Sequence, residues 1–223
     1  MCGRFSASKP DDILREFVPL TKVFNLAPRY NIAPSQMVAA VRLNPAGDEE
    51  FVMLKWGLIP HWAADPKIAW SLINARCETV RAKPAFREAF KRRHCLVLAD
   101  GFFEWAKEGN QKQPYHFRLN EGEPFAFAGL WEVWKNAAGE LVETCTIITC
   151  EANEIVKPIH GRMPVILTED AHRLWLDAKT ENSDLLLLPY PANEMESFPV
   201  STVVNSPKNE SPDCVVSCSS NSA

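Results

Sequence analysis

The chain has 223 residues, 46% hydrophobic content and a formal net charge of −4, enough material for one domain with a sizeable core. The acidic balance excludes a protein that coats nucleic acid indiscriminately, because such binding needs many Lys and Arg to neutralise phosphates. No run of about 18 uncharged apolar residues occurs and the N-terminus, MCGRFSASKPDD, lacks the apolar stretch of a secretory signal, so no membrane association is expected and the expected compartment is the cytosol, or the nucleus in a eukaryote.

Ser8 as a cap, Pro10 and Asp11-Asp12 open a short helix whose Ile13, Leu14, Phe17 and Val18 share one face and which ends before Pro19. Residues 38–43 and 51–58 predict two strands around the turn Asn44-Pro45-Ala46-Gly47, with Val52, Leu54, Trp56 and Leu58 alternating cleanly. Residues 84–93 predict a second helix, with Phe86 and Phe90 four apart on its core side and Arg87, Lys91 and Arg92 in solvent. Short strands follow over 95–99, 102–105, 115–119, 125–130, 144–149 and 163–167, separated by Gly, Pro and Asn. A third helix over 169–178, capped by Thr168, puts Ala171, Leu174, Trp175 and Ala178 on one stripe. The pattern predicts an α+β fold: a single domain over residues 2–209 with a largely antiparallel, barrel-like β core and a few short helices, then a flexible Ser-rich tail over 210–223.

Seven cysteines, an odd number without a compact framework, read as reduced thiols. No CxxC pair is present, which makes a structural zinc site a weak reading; no metal or other cofactor is expected.

Cys2 has a distinctive chemical potential. Removal of Met1 leaves an amine and a thiol on adjacent carbons, a 1,2-aminothiol suited to capturing an aldehyde. The α-amino pKa is about 7.7–8.0 and the thiol's about 8.5, so an appreciable minority of the amine is nucleophilic at neutral pH. By position alone, the favoured reading of Cys2 is a small buried hydrophobe. In Ile73-Asn74-Ala75-Arg76-Cys77-Glu78-Thr79 an extended chain puts Asn74 and Arg76 on one face, placed to hold a sugar hydroxyl and a phosphate; a capped loop with a surface Arg is the alternative. In Ala99-Asp100-Gly101-Phe102-Phe103-Glu104-Trp105, Glu104 is a carboxylate among aromatics, which raises its pKa and suits a proton shuttle, unless it simply faces solvent. His160 and Arg162 sit in a turn bounded by Pro158, Gly161 and Pro164, a setting that presents functional groups but also holds ordinary turn histidines.

Together with MCGRF, Arg29-Tyr30-Asn31-Ile32-Ala33-Pro34 and Trp56-Gly57-Leu58-Ile59-Pro60, these segments make six motifs in order, and the chain closely resembles the SRAP (SOS response-associated peptidase) family from about residue 2 to 209. The resemblance implies covalent capture of abasic sites in single-stranded DNA, with Cys2, Asn74, Glu104 and His160 as catalytic positions. It implies DNA contacts from Arg4, Arg76 and Arg162, stacking by Trp62 in the place where close relatives carry two tryptophans, and Asn31 in the same DNA-contacting set. The expected partner is single-stranded DNA containing abasic sites, bound by a monomer. Three other readings use the same residues: an N-terminal-nucleophile amidohydrolase, a cysteine peptidase with Cys2, His160 and Glu104, and a non-catalytic single-strand-binding module with an inert Cys2.

Overall fold

The computed structural model describes residues 2–18, 24–109 and 111–218. In chain order the elements are β1 (Phe5–Ala7), α1 (Pro10–Phe17), β2 (Arg29–Ile32), β3 (Met37–Leu43), β4 (Glu49–Trp56), β5 (Asn74–Arg76), α2 (Arg87–Arg92), β6 (His94–Ala99), β7 (Gly101–Glu108), β8 (Gln111–Leu119), β9 (Phe125–Lys135), β10 (Leu141–Glu151), β11 (Arg162–Pro164), β12 (Ile166–Leu167), α3 (Glu169–Leu176) and β13 (Met195–Pro199). The fold is α+β, mostly antiparallel, with short helices around a closed sheet.

Closure follows from the pairing. The predicted hairpin is present as β3–β4, in register from Met37↔Lys55 to Leu43↔Glu49. β3 pairs with β6, β6 with β9, β9 with β10, and β10 returns parallel to β4 through Thr144↔Lys55 and Cys145↔Trp56. Those five strands form a ring, which removes the open edges that would otherwise invite further pairing. Leu54, Trp56, Val97, Phe127 and Ile147 are buried in the core. A second sheet, ordered β13-β8-β7-β1-β2, packs its inner face against the barrel, with Phe5 edge-on to both Trp56 and Phe127.

The ring positions the site through β10, whose later residues take new partners. Ile147↔Asn74 and Thr149↔Arg76 pair it with β5 in parallel, and Glu151↔Arg162 pairs it with β11. The chain therefore leaves β10's edge at Trp56 and rejoins that edge at Asn74, only two β10 residues further on. The intervening residues 57–73 are pinned by Leu58 N–H to Leu72 O (3.2 Å), Ile59 N–H to Thr144 Oγ1 (2.9 Å) and Trp134 Nε1–H to Ala63 O (2.7 Å). Gly57, at φ +122°, makes the exit turn with Ala69 packed close against it.

Several local expectations are corrected. The second helix covers only Arg87–Arg92, because residues 79–86 close as successive turns on Thr79 O and Lys83 O. The third ends at Leu176, and its buried side is Ala171, Trp175 and Leu176, with Leu174 exposed. Thr168 occupies its N-cap without a side-chain bond. The first helix starts after Lys9, and Ser8 bonds Asp100 instead of capping it. That helix ends at Phe17; its relation to Pro19 lies outside the described residues. Part of the segment assigned to a tail is packed: Pro212–Cys214 forms a 3-10 turn, Cys214 is buried, and Ser217 bridges Val200. Residues 219–223 lie outside the described residues.

Candidate active site

The N-terminal segment is held in place by a buried carboxylate. Asp100 Oδ1 accepts from Ser6 Oγ (2.6 Å), and Oδ2 accepts from Ser8 Oγ (2.8 Å), Ser8 N–H and Lys9 N–H (2.8 Å). These bonds, with Phe5↔Phe102 and Phe103 N–H to Arg4 O (3.0 Å), lay residues 2–6 along β7. Alternation along β7 then separates two environments. Phe102 stacks on Phe117 in the main core, whereas Phe103 joins a small cluster with Val200, Val204 and Cys214, against which Trp105 packs.

Glu104 is only 4% exposed and lies near enough to Cys2 for its charge to act on the thiol. Burial pushes the Glu104 carboxyl above the usual carboxylate range, partly offset by nearby His160. Cys2 is fully buried, and burial followed by the Glu104 charge holds its thiol far above the ordinary thiol range. Its Sγ lies 3.7 Å from Arg4 O. Asn74, on β5, donates from Nδ2 to Cys2 O (2.7 Å), while its buried Oδ1 has no hydrogen-bond partner among the described residues.

An open cleft of about 450 Å³ is lined by Arg4, Glu104, Trp105, Lys112, His160 and Asn205. His160 Nδ1 accepts from Arg162 N–H (3.0 Å), which fixes the ring in its turn. The structure thus brings Cys2, Asn74, Glu104 and His160 to one place from four separated segments. A larger cleft of about 730 Å³ at the β3–β4 turn, among Arg42, Arg93, Trp131 and Arg173, contains none of these residues.

The expected DNA-contacting residues divide. Arg4 lines the cleft and its guanidinium lies 5.8 Å over the Trp105 ring. Arg76 is exposed at the end of β5, on the same face as Asn74. Arg162 is held in a forked pair with Glu78 and by Thr149 O (2.7 Å), and that pairing holds the Glu78 carboxyl down at about 2. Trp62 is 53% exposed. Asn31 is a correction: it is fully buried, accepts from Arg4 Nη1 (2.6 Å) and donates to the carbonyls of Val204, Ser206 and Asn209, so no face of it is left for a ligand.

Residues the motifs did not single out complete the cleft: Trp105, whose Nε1–H meets Asn205 Oδ1 (2.7 Å), and Lys112. Trp105 carried a usable signal, two residues after Phe103 on the same strand face. Trp70, 65% exposed on the 57–73 excursion, was also passed over. Among the described residues no cluster of His, Cys, Asp and Glu is placed to hold a metal ion, and no helix is long and apolar enough to cross a membrane.

Residues 1–207 match the family model described as SOS response associated peptidase (SRAP). The chain is 46% identical over 219 residues to the abasic site processing protein YoaM of Bacillus subtilis, covering 95% of this chain and 96% of that one. It is 34% identical to the abasic site processing protein HMCES of Xenopus tropicalis over 73% of this chain and 56% of that one. Among solved structures it resembles a protein from Bacteroides thetaiotaomicron, with a TM-score of 0.79 at 28% identity and 87% of each chain covered.

Proposed function

Because the chain belongs to the SRAP family, we propose that it processes abasic sites in single-stranded DNA by capturing them covalently at Cys2 once Met1 has been removed. The observation that carries this reading is the convergence of a buried carboxylate, a turn histidine and an arginine on one cleft, with Cys2 beside the carboxylate and its carbonyl gripped by Asn74.

Loss of Met1 converts the Cys2 amide nitrogen into a primary amine. An abasic sugar exists mostly as the closed hemiacetal, and His160 acts as acid and base to open it to the aldehyde. The amine adds to the aldehyde carbon to give a carbinolamine. Glu104 accepts the proton lost by nitrogen and returns it to the hydroxyl, which leaves as water and gives the imine. The sulfur then adds to the imine carbon, its proton passes to nitrogen, and a thiazolidine ring results, so the net reaction releases one water. Asn74 Oδ1, the unpartnered acceptor, orients the amine N–H. Arg4, Arg76 and Arg162 hold flanking phosphates and Trp62 stacks on a base, which sets register without reading sequence.

The thiol's environment supports this order of events. A cysteine peptidase attacks with a thiolate and needs a lowered thiol pKa, whereas burial raises that of Cys2. An aminothiol can let nitrogen attack first and admit sulfur as a neutral thiol. Mature protein incubated with abasic single-stranded DNA is expected to give one adduct that survives a denaturing gel, with none from Cys2→Ala. An adduct formed by Cys2→Ala, or by protein that mass spectrometry shows still carries Met1, would overturn the mechanism.

A further inference from the structure

The Arg4 guanidinium is held by a strap formed from residues 201–217. Arg4 Nη1 donates to Asn31 Oδ1 (2.6 Å) and Val204 O (2.8 Å). Asn31 Nδ2 in turn donates to Val204 O (3.2 Å), Ser206 O (2.9 Å) and Asn209 O (2.7 Å), so one amide ties Arg4 to three points of the strap. The strap is fastened to β2 at Glu210, whose carboxylate accepts from the backbone N–H groups of Tyr30 and Asn31 (2.9 Å) and from Arg29 Nε (3.0 Å). Cys214 plugs the small apolar cluster behind it, beside Phe103 and Val204. The family match ends at residue 207, so the Glu210 fastening lies beyond it.

We infer that Glu210 is a positioning residue for DNA binding, latching the strap onto β2 so that Asn31 and Val204 present the Arg4 guanidinium to a phosphate at the cleft. The physical reason is pre-organisation. An arginine that grips a phosphate gives up rotamer freedom, and a side chain already held loses little of it on binding. Glu210 touches no substrate and acts through Arg4 alone. This inference rests on the single-stranded DNA reading above.

The test measures binding of an intact, fluorescently labelled single strand by anisotropy over a range of KCl concentrations, with capture of abasic DNA measured in parallel. Glu210→Ala is expected to weaken binding and flatten the dependence of log K on log salt by about 0.7, the loss of one single-strand phosphate contact. Arg4→Ala should do the same, and the double variant should bind no more weakly than Arg4→Ala alone. Glu210→Gln, which keeps one carbonyl acceptor but loses the charge, should fall between. It also serves as the reporter if thermal unfolding shows that Glu210→Ala does not fold. A wild-type slope in a folded Glu210 variant, or additive losses in the double variant, would overturn the latch while leaving wild-type capture of abasic DNA intact. Absence of capture or of strand binding by wild-type protein would instead remove the functional reading, and the latch with it.

Discussion

A carboxylate kept almost wholly from water is costly in its charged form, and Glu104 is in that position beside the Cys2 thiol. Burial raises its pKa toward the working range of a general acid and base. Glu104→Gln preserves shape but cannot exchange the proton, so capture should slow by roughly 10²–10⁴-fold while affinity for intact single strands is kept. His160→Ala should slow capture for a different reason, because fewer sugars open to the aldehyde. Single-turnover kinetics under saturating protein reads both; a lost affinity with an unchanged bound rate would contradict these roles. At this scale much was legible in the sequence. Alternation along residues 102–105 correctly separated Phe102 and Glu104 from Phe103 and Trp105. Asn31 was not legible, because a buried amide that organises carbonyls 173–178 positions away has the same local sequence as one that faces a ligand.

Elements were legible in proportion to their own patterning. The β3–β4 hairpin has strict alternation and a turn with Gly47 at φ +88°, and it appears nearly as expected. β1, β2, β5 and β13 were not predicted as strands; each has five residues or fewer and takes its conformation from long-range partners. The junction between β6 and β7 shows why one residue there is fixed. A Cβ added to Gly101 would lie 2.1 Å from His116 Nε2 and 2.9 Å from Ser6 Oγ. Gly101→Ala must therefore displace a buried ring and the strand that carries Ser6, which follows Cys2 in the N-terminal segment. A loss of stability of about 1–3 kcal/mol or more is expected, read as a lower urea midpoint, together with slower capture. A midpoint equal to that of the wild type would mean that the ring has room to move.

For the molecule as a whole, the N-terminal strand is tied to the β6–β7 junction and to β8 by one buried polar group of Ser6, Asp100 and His116. Ser6 Oγ gives its single proton to Asp100 and lies 3.0 Å from His116 Nε2, so that nitrogen is the donor toward Ser6. Burial, followed by the Arg118 charge, lowers the His116 pKa to about 3. The unfolded chain, with a His pKa of about 6.5, therefore binds a proton below that pH which the native state refuses. This group's contribution is constant above pH 6.5 and is lost as pH falls toward 3, by at most ~1.4 kcal/mol per pH unit. Urea midpoints should consequently drop less between pH 7 and pH 4.5 in His116→Gln than in the wild type. Equal drops would show that His116 does not contribute to acid sensitivity.

The sequence by itself determined the class of fold, the order of the motifs and the candidacy of Cys2 as an aminothiol, because periodicity, turn chemistry and a residue's own functional groups are local properties. Tertiary structure alone decided that β10 closes the barrel through a parallel contact with β4. It alone decided that Cys2, Asn74, Glu104 and His160 meet, and that a segment resembling a tail braces Arg4. Those outcomes depend on pairings across tens to hundreds of residues, where the gain comes from apolar burial and satisfied backbone groups that no window of sequence contains.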